Sequence, residues 1–358
     1  MSIFILAYRI DSLTYTIAKA VSFGGWEVCI QAITQEHTCD LDRRLVTMLD
    51  ETPHVTVNDP VAPRFPGKDD LLIIQGHPRI FEHRGEFLEF SKNAGSLVMI
   101  STGDRKIPYR KALSFQWREL RWYGARLFRV KRVLFKDGFY PRDLFGLIRP
   151  RSVIGFDVHS KFLHDPGAFQ RIHARDWKPD RKRPLLINFL GSRDPQRRER
   201  IVDSIEPLLE NPRIQKLLDR MGKQFFWHLY SDEAPRVLSE SEYLKVLTES
   251  DFTLSPPGFS LVTHRPLEAL LRGSIPVLHA SELDLYDVGF ADGINCIAVP
   301  SEGWPAAVER ILSLPEEDIW QMRRNIRDMF DTFLDYGVSS RQIRNRFGIG
   351  DETDGFTQ

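Results

Sequence analysis

The sequence of 358 residues lacks the features that mark several common classes of protein. It has only three cysteines (Cys29, Cys39 and Cys296), with neither a CxxC motif nor the Cys/His spacing of a zinc site. We therefore expect neither a disulfide framework nor a structural zinc site. Basic and acidic residues balance at 49 each, so the chain has no overall positive charge of the kind that favours binding to nucleic acid.

Long apolar runs are also missing. No stretch approaches the roughly 20 residues that a membrane-spanning helix needs, and the first residues lack the basic region and cleavage site of a secretory signal. We therefore expect a cytoplasmic protein, with the inner face of the membrane as a second place of action. No internal repeat or low-complexity segment occurs. At about 150 residues per domain, the length predicts two domains.

Apolar segments alternate with amphipathic segments along both halves of the chain. This alternation predicts an α/β fold with parallel, doubly wound sheets. We expect strands at 3–8, 26–31, 54–57, 71–75, 97–100, 185–190, 225–229, 252–254, 275–278 and 294–299. We expect the principal helices at 12–22, 41–49, 81–93, 241–248, 265–272, 304–312 and 316–334, with a further one starting near Pro195.

The stretch from Tyr243 to Val277 predicts one βαβ unit with a glycine loop. Gly258 in the loop lets backbone come close to a ligand, and the helix that starts at Arg265 suits an anion. Arg265 can grip a phosphate with two hydrogen bonds. Glu268 follows on the same helix face and could accept two hydroxyls of a ribose. From spacing alone, a surface ion pair between Arg265 and Glu268 is the alternative.

This stretch resembles the exostosin family of glycosyltransferases (GT47) at many fixed positions: Tyr243-x3-Leu247-x2-Ser250-x-Phe252-x-Leu254-x-Pro256-x-Gly258-x-Ser260, then Arg265-x2-Glu268-Ala269-x3-Gly273-x-Ile275-Pro276-Val277. A weaker resemblance extends from about Val153 to Leu314. Two places depart from it: His159-Ser160-Lys161-Phe162 replaces an apolar-proline element, and Asn295-Cys296 stands where the family often has Asp-Trp. The resemblance implies inverting transfer from a nucleotide sugar by two Rossmann-like domains facing across a cleft, the GT-B architecture.

On this basis three parts of the chain are expected. Residues 1–175 would form an N-terminal, acceptor-binding Rossmann-like domain, and residues 176–336 a C-terminal, exostosin-like domain that binds the nucleotide sugar. A linker is expected at 153–157 and 175–183. Residues 337–358 are expected to form a polar C-terminal tail.

The candidate site residues follow the predicted strands, because ligands of parallel α/β sheets lie beyond the carboxyl ends of strands. The candidate catalytic bases are Asp104, His77 and Asp11; the alternatives are capping or turn formation for the aspartates and a plain loop position for the histidine. The donor nucleotide is assigned to Gly191, Ser192, Arg193, Tyr230, Pro256, Gly258, Ser260, Arg265 and Glu268. For 191–194 the alternative is an ordinary βα turn capped by Asp194.

Metal dependence stays open at the level of sequence. Asp40-Leu41-Asp42 is a DxD motif, which can hold a metal bound to a diphosphate. It precedes a predicted helix, where acidic residues are expected as caps, and arginines with a helix dipole can replace a metal. No metal ligand is therefore assigned, and no cofactor is expected besides the donor substrate.

The segment 105–136 is strongly basic, with eleven lysines and arginines, a single acid (Glu119) and interleaved aromatic residues. Such a segment suits peripheral contact with an anionic membrane or an anionic glycan acceptor. Stacking on single-stranded nucleic acid and a helix packed through its aromatic side chains are the alternatives; nucleic acid is not the expected partner.

The predicted function is that of an inverting glycosyltransferase. It would move a sugar from a nucleoside diphosphate sugar, most readily a UDP-sugar, to a hydroxyl of a glycan or lipid-linked glycan acceptor in polysaccharide biosynthesis. The alternatives are a retaining transferase, a UDP-sugar epimerase of the same fold, and a non-catalytic protein that binds a nucleotide sugar or glycan.

Overall fold

The computed structural model describes residues 1–10, 12–34, 40–59, 62–76, 83–101, 130–135, 152–154, 177–193, 196–230, 238–258, 263–286, 288–300, 303–329 and 336–349. The chain forms two compact units. The first comprises residues 1–164 and 336–358, and the second residues 165–335.

The first unit is built on a parallel sheet. Among the described residues its strands run in the order β3-β2-β1-β4-β5-β6-β7. The central strand β1 has the unbroken apolar sequence IFILA and is buried at every position, as expected of a parallel strand covered on both faces. The strands are β1 (Ile3–Ala7), β2 (Val28–Ala32), β3 (Val55–Val57), β4 (Leu71–Gly76), β5 (Ser96–Ser101), β6 (Val130–Phe135) and β7 (Ser152–Ile154).

The first unit has four described helices, and the last of them comes from the end of the chain. They are α1 (Ser12–Ser22), α2 (Asp40–Asp50), α3 (Arg84–Asn93) and α10 (Tyr336–Phe347). Where the sequence predicts a polar tail from residue 337, the structure has helix α10 packed on α1. Arg344 explains the difference: its side chain is buried, and Nη1 donates to the carbonyl of Ala20 at 3.0 Å. A charged residue can thus anchor a helix that looks fully solvated in sequence.

The second unit has a smaller parallel sheet. In the described part of the chain its strand order is β12-β11-β10-β8-β9. The strands are β8 (Leu185–Gly191), β9 (Gln224–Leu229), β10 (Ser250–Leu254), β11 (Ile275–His279) and β12 (Ile297–Val299). The helices are α4 (Gln196–Leu209), α5 (Pro212–Met221), α6 (Glu240–Glu249), α7 (Arg265–Leu271), α8 (Trp304–Ser313) and α9 (Glu316–Met329), with a 3-10 helix at Ala280–Leu285.

Both sheets confirm the predicted fold class of two Rossmann-like α/β domains. Three local predictions need correction. Strand β6 occupies 130–135 at the end of the basic segment 105–136, where no strand is predicted, and strand β7 lies at the predicted linker. Helix α5 is absent from the prediction although its ends are well marked: Asn211 accepts a hydrogen bond from the amide of Arg213, and Gly222 closes it at φ 65°.

A buried group of charges ties the amino end of β10 to the elements around it. Asp251 is fully buried and forms ion pairs with Lys223 and Arg323, which are also buried. Burial lowers the pKa of Lys223 to about 8 and that of Arg323 to about 8, because a poorly solvated site disfavours charge. Arg183 donates beside them to the carbonyl of Ser250 at 2.7 Å. The single carboxylate of Asp251 therefore compensates two buried cations.

None of the described helices is long and apolar enough to cross a membrane.

Replacing Asp251 by asparagine should strongly destabilise the second unit. The substitution keeps the shape of the side chain but leaves Lys223 and Arg323 without a counter-charge, so we expect a loss of about 3–5 kcal/mol in the free energy of unfolding. Urea denaturation followed by circular dichroism measures it. The matched control is Glu317→Gln, which removes an exposed partner of Arg324 and should cost at most about 1 kcal/mol. Equal losses in the two variants would contradict the structural role of Asp251.

Candidate functional site

The candidate site lies at the carboxyl ends of β8 and β10, which are hydrogen-bonded neighbours in the sheet. The two strands pair in parallel, with Phe252 opposite Ile187 and Thr253 opposite Asn188. Gly191 therefore ends β8 beside the point where the chain leaves β10 towards Pro256 and Gly258. Ligands of parallel α/β sheets bind at this edge, and two loops predicted from sequence to bind the donor lie here side by side.

Arg265, the first residue of α7, reaches back over the end of β8. Its guanidinium lies on the ring of Phe189, with 5.4 Å from Cζ to the ring centroid. A methyl group at Gly191 would lie 3.3 Å from Nη2 of Arg265, so the glycine leaves the space that the guanidinium needs. Nε of Arg265 is buried and has no hydrogen-bond partner among the described residues. Arg265 thus presents a positive charge at the end of β8.

Arg198 makes the reciprocal contact. It belongs to α4, the helix after β8, and its guanidinium lies against Gly258 in the loop after β10. A methyl group at Gly258 would lie 2.4 Å from Nη2 of Arg198. Each of the two glycine loops is therefore contacted by an arginine from the helix that follows the other strand. We call Arg198 and Arg265 the crossed arginines.

Glu268 lies one turn along α7 and is only 5% exposed. The hydroxyl of Tyr243, from α6, donates to its Oε2. Burial raises the pKa of Tyr243 well above its usual range, and the negative charge of Glu268 raises it further, while the positive charge of Arg265 opposes them. The alternative of a solvent-exposed ion pair between Arg265 and Glu268 is therefore wrong, because the carboxylate is buried beneath the helix surface.

Arg193 lies elsewhere. Its side chain is exposed and donates to Asp203 and Glu206, both on α4. These two carboxylates hold its guanidinium along the surface of that helix, whereas Arg198 of the same helix contacts the glycine loop. Sequence alone does not separate the two arginines, since both lie in the stretch after β8. Arg193 precedes α4 and folds along its surface, whereas Arg198 lies on the helix and meets Gly258.

The remaining predicted donor residues fall into two groups. Tyr230 is half-buried at the end of β9, and its amide donates to the carbonyl of Gly191 at 3.1 Å. Ser192, which follows Gly191, is half-buried, and Pro256, two residues before Gly258, is buried. Ser260 lies outside the described residues, as do the candidate bases Asp104, His77 and Asp11, so their assignments stay predictions.

The loop before α7 is fixed by a tyrosine that the sequence analysis did not single out. Tyr286 Oη accepts a hydrogen bond from the amide of Thr263 at 3.0 Å and donates to the carbonyl of the same residue at 3.0 Å. Its ring meets Phe290 edge-on at 5.2 Å between centroids, and burial raises the pKa of its hydroxyl. Tyr286 thereby fixes the chain two residues before Arg265. The sequence around Tyr286 gave no sign of this role.

The DxD motif lies at the start of α2. Asp40 and Asp42 fall in the first turn of α2, which is where acidic residues favour a helix. No group of three or more His, Cys, Asp or Glu suited to a metal ion occurs among the described residues.

Comparison with known proteins bears on the whole of this site. Residues 145–296 match the family model of the Exostosin GT47 domain. This part of the chain is similar to the exostosin glycosyltransferase domain. The match includes both glycine loops, the crossed arginines, Tyr243 and Glu268, so the matched region contains every described residue of the candidate site. No curated protein matches the sequence at a significant level.

Solved structures similar to this chain include glycosyltransferases of low identity. Sucrose-phosphate synthase from Thermosynechococcus elongatus is 12% identical with a TM-score of 0.48, covering 97% of this chain and 98% of its own. Trehalose-6-phosphate synthase OtsA is 11% identical with a TM-score of 0.44, covering 98% and 99%. TarM is 12% identical with a TM-score of 0.45, covering 78% of this chain; the chain spans only 54% of TarM. At these values no substrate or partner follows from the likeness.

Removing the hydroxyl of Tyr286 should loosen the approach to α7. In Tyr286→Phe the amide of Thr263 loses its buried acceptor, which costs roughly 1–3 kcal/mol, so this amide should exchange its hydrogen with deuterated solvent faster. Hydrogen–deuterium exchange read by NMR measures it. The internal control is the amide of Ser255, which donates to the carbonyl of Val277 at 2.8 Å and should keep its rate. Unchanged exchange at Thr263 would show that Tyr286 does not fix this loop.

Proposed function

We propose that this protein is an inverting glycosyltransferase that takes its sugar from a nucleoside diphosphate sugar, UDP-linked in the first instance, and passes it to a hydroxyl of a glycan or lipid-linked glycan. The observation that carries the proposal is the pair of crossed arginines at the carboxyl edge of β8 and β10, with buried Glu268 one turn away. The second unit would hold the donor.

The crossed arginines suit a diphosphate. Two guanidinium groups against two glycine loops offer several N–H donors and two positive charges close to the backbone of both loops. Arginine pairs with phosphate oxygens through two parallel hydrogen bonds, and a glycine loop lets phosphate approach the backbone closely. The unpartnered Nε of Arg265 leaves a donor that a phosphate oxygen would satisfy.

Glu268 suits a ribose. A carboxylate accepts hydrogen bonds and donates none when ionised, so it pairs well with two neighbouring hydroxyl groups. Its place one turn along α7 from Arg265 matches a nucleotide whose diphosphate lies at the start of that helix. Tyr230, half-buried after the end of β9, offers an aromatic ring for the nucleobase.

The transfer itself exchanges one bond for another at the anomeric carbon. The acceptor oxygen forms a bond to this carbon from the face opposite the diphosphate, the bond from carbon to the phosphate oxygen breaks, and a base takes the acceptor proton. Negative charge grows on the departing diphosphate, where Arg265, Arg198 and the amides near Gly258 would stabilise it. This electrostatic role needs no metal, although a metal could share it.

The proposal assigns the catalytic base and the acceptor site to the first unit. Asp104, His77 and Asp11 stay the candidate bases, because each follows a strand of the first unit in sequence. The basic segment 105–136 stays the candidate for contact with an anionic acceptor or an anionic membrane. Of this segment the structure describes only 130–135, which form strand β6.

The crossed arginines and Arg193, which lies along the surface of α4, give a matched test of the donor site. In isothermal titration with UDP, Arg265→Ala and Arg198→Ala should each weaken binding by about 10- to 100-fold, since hydrogen bonds to charged groups contribute about 1.5–3 kcal/mol. Arg193→Ala should stay within about twofold of the wild type, because its exposed ion pairs with Asp203 and Glu206 contribute little. Uridine, which lacks the diphosphate, should bind all three variants as it binds the wild type.

Titration of the wild type with UDP, GDP and CMP, each with and without EDTA, decides the class of donor and the need for metal. Tight UDP binding that Glu268→Ala weakens supports the transferase. Failure to bind any nucleotide would overturn the proposal in favour of a non-catalytic protein. With UDP-sugars, NMR then separates the remaining outcomes: an inverted product in the presence of acceptor supports the proposal, whereas a retained product or epimerisation without acceptor contradicts it.

A further inference from the structure

The hydrogen bond between Tyr243 and Glu268 links two helices that the donor proposal otherwise treats separately. Tyr243 lies in the first half of α6, ahead of β10, whereas Glu268 lies on α7 after β10. The hydroxyl of Tyr243 donates to Oε2 of a carboxylate that is only 5% exposed. A nearly buried carboxylate is thus fixed from outside its own helix.

The ring of Tyr243 is itself held in place. It packs against a buried apolar cluster formed by Leu190, Val246 and Leu247. Leu190 directly precedes Gly191, so the same packing contacts the end of β8. A tyrosine has only two side-chain torsions, and a packed ring leaves its hydroxyl little freedom. The hydroxyl therefore approaches Glu268 from a constant direction.

The hydroxyl also stays a donor across neutral pH. Burial raises the pKa of Tyr243, and the neighbouring Glu268 carboxylate raises it further. A protonated phenol beside an ionised carboxylate forms a charge-assisted hydrogen bond, which is about twice as strong as a neutral one. This bond occupies one lone pair of Glu268 and leaves the carboxylate other acceptor positions.

We propose that Tyr243 is a positioning residue of the donor site: its hydroxyl holds the Glu268 carboxylate in the orientation in which it accepts the hydroxyl groups of the nucleotide ribose. The inference rests on the proposed function and deepens it, since it assigns ribose recognition to a tyrosine–glutamate pair. Tyr243 need not touch the nucleotide itself.

The consequence is a specific loss of discrimination. A site built to hydrogen-bond a hydroxyl rejects an analogue that lacks it, because the buried polar group is then left unpaired. The ratio of affinities for UDP and 2′-deoxy-UDP therefore reports whether Glu268 is correctly oriented. A purely structural tyrosine would change both affinities together and leave the ratio unchanged.

The test is Tyr243→Phe, which removes one oxygen atom and keeps the ring. We expect the wild type to prefer UDP over 2′-deoxy-UDP by about tenfold, the value of one hydrogen bond to a charged group. Tyr243→Phe should lower this preference to about threefold or less, approaching that of Glu268→Ala. Both nucleotides are titrated into the same preparation, so the ratio does not depend on the fraction of folded protein.

Tyr15→Phe is the matched control. Tyr15 is a buried tyrosine of the first unit whose hydroxyl accepts a hydrogen bond from Lys19 Nζ at 3.0 Å, so its variant should keep the wild-type ratio. If Tyr243→Phe also keeps the wild-type ratio while Glu268→Ala loses it, the positioning role of Tyr243 is overturned and the proposed donor site stands. If Glu268→Ala keeps it as well, ribose recognition by Glu268 fails. If the wild type binds neither nucleotide, the proposed function fails and this inference with it.

Discussion

The parallel pairing of β8 with β10 is the constraint on which the site depends. Two parallel neighbours end at the same edge of the sheet, about 4.8 Å apart, so the loops that leave them must run side by side. Each loop carries a glycine, and the space above each glycine is taken by an arginine from the helix after the other strand. A side chain at either glycine would compete with a guanidinium for that space. Strand order, loop composition and helix direction thus converge on one positively charged edge.

The second unit places a buried ion-pair network and the proposed binding site at opposite ends of the same strand, β10. At the amino end of β10, Asp251 is closed off and balances Lys223 and Arg323. At the carboxyl end the charges of Arg265 and Arg198 lie beside loops. A fully buried carboxylate between two cations tolerates little change, because any lost partner leaves an uncompensated charge. At the loop edge the guanidinium groups of both crossed arginines lie against glycines, and this is where we propose that an anionic partner binds.

Polar groups at the site are held by residues distant in sequence, and these contacts fix the orientation of the side chains. The side chain of Glu268 could adopt several orientations on this short helix if only its own torsions restricted it. The hydroxyl of Tyr243 and the packing of its ring restrict it, and Tyr286 fixes the loop that precedes the same helix. Donor recognition, as proposed, therefore depends on α6 and on the segment after β11 as well as on the motif of α7.

The sequence by itself determined the class of fold and the main elements of the donor half. The apolar segments of β8, β10 and β11 are short and bounded by breakers, so their alternation with helices predicts parallel sheets, which the structure confirms. The spaced motif from Tyr243 to Val277 pointed to the exostosin domain that the family comparison finds. These features are local: they depend on propensity and periodicity within a few residues.

Only the tertiary structure decided which side chains meet. Arg193 and Arg198 both follow β8 within seven positions, yet Arg193 pairs with Asp203 and Glu206 along the surface of α4, whereas Arg198, on the helix itself, lies against Gly258. Glu268 looks like half of a surface ion pair until the packing of α6 buries it. Helix α10 looks like a solvated tail in the sequence, but in the structure its Arg344 donates a hydrogen bond to a backbone carbonyl of α1. In each case the deciding partner is far away in sequence, where no local pattern can specify it.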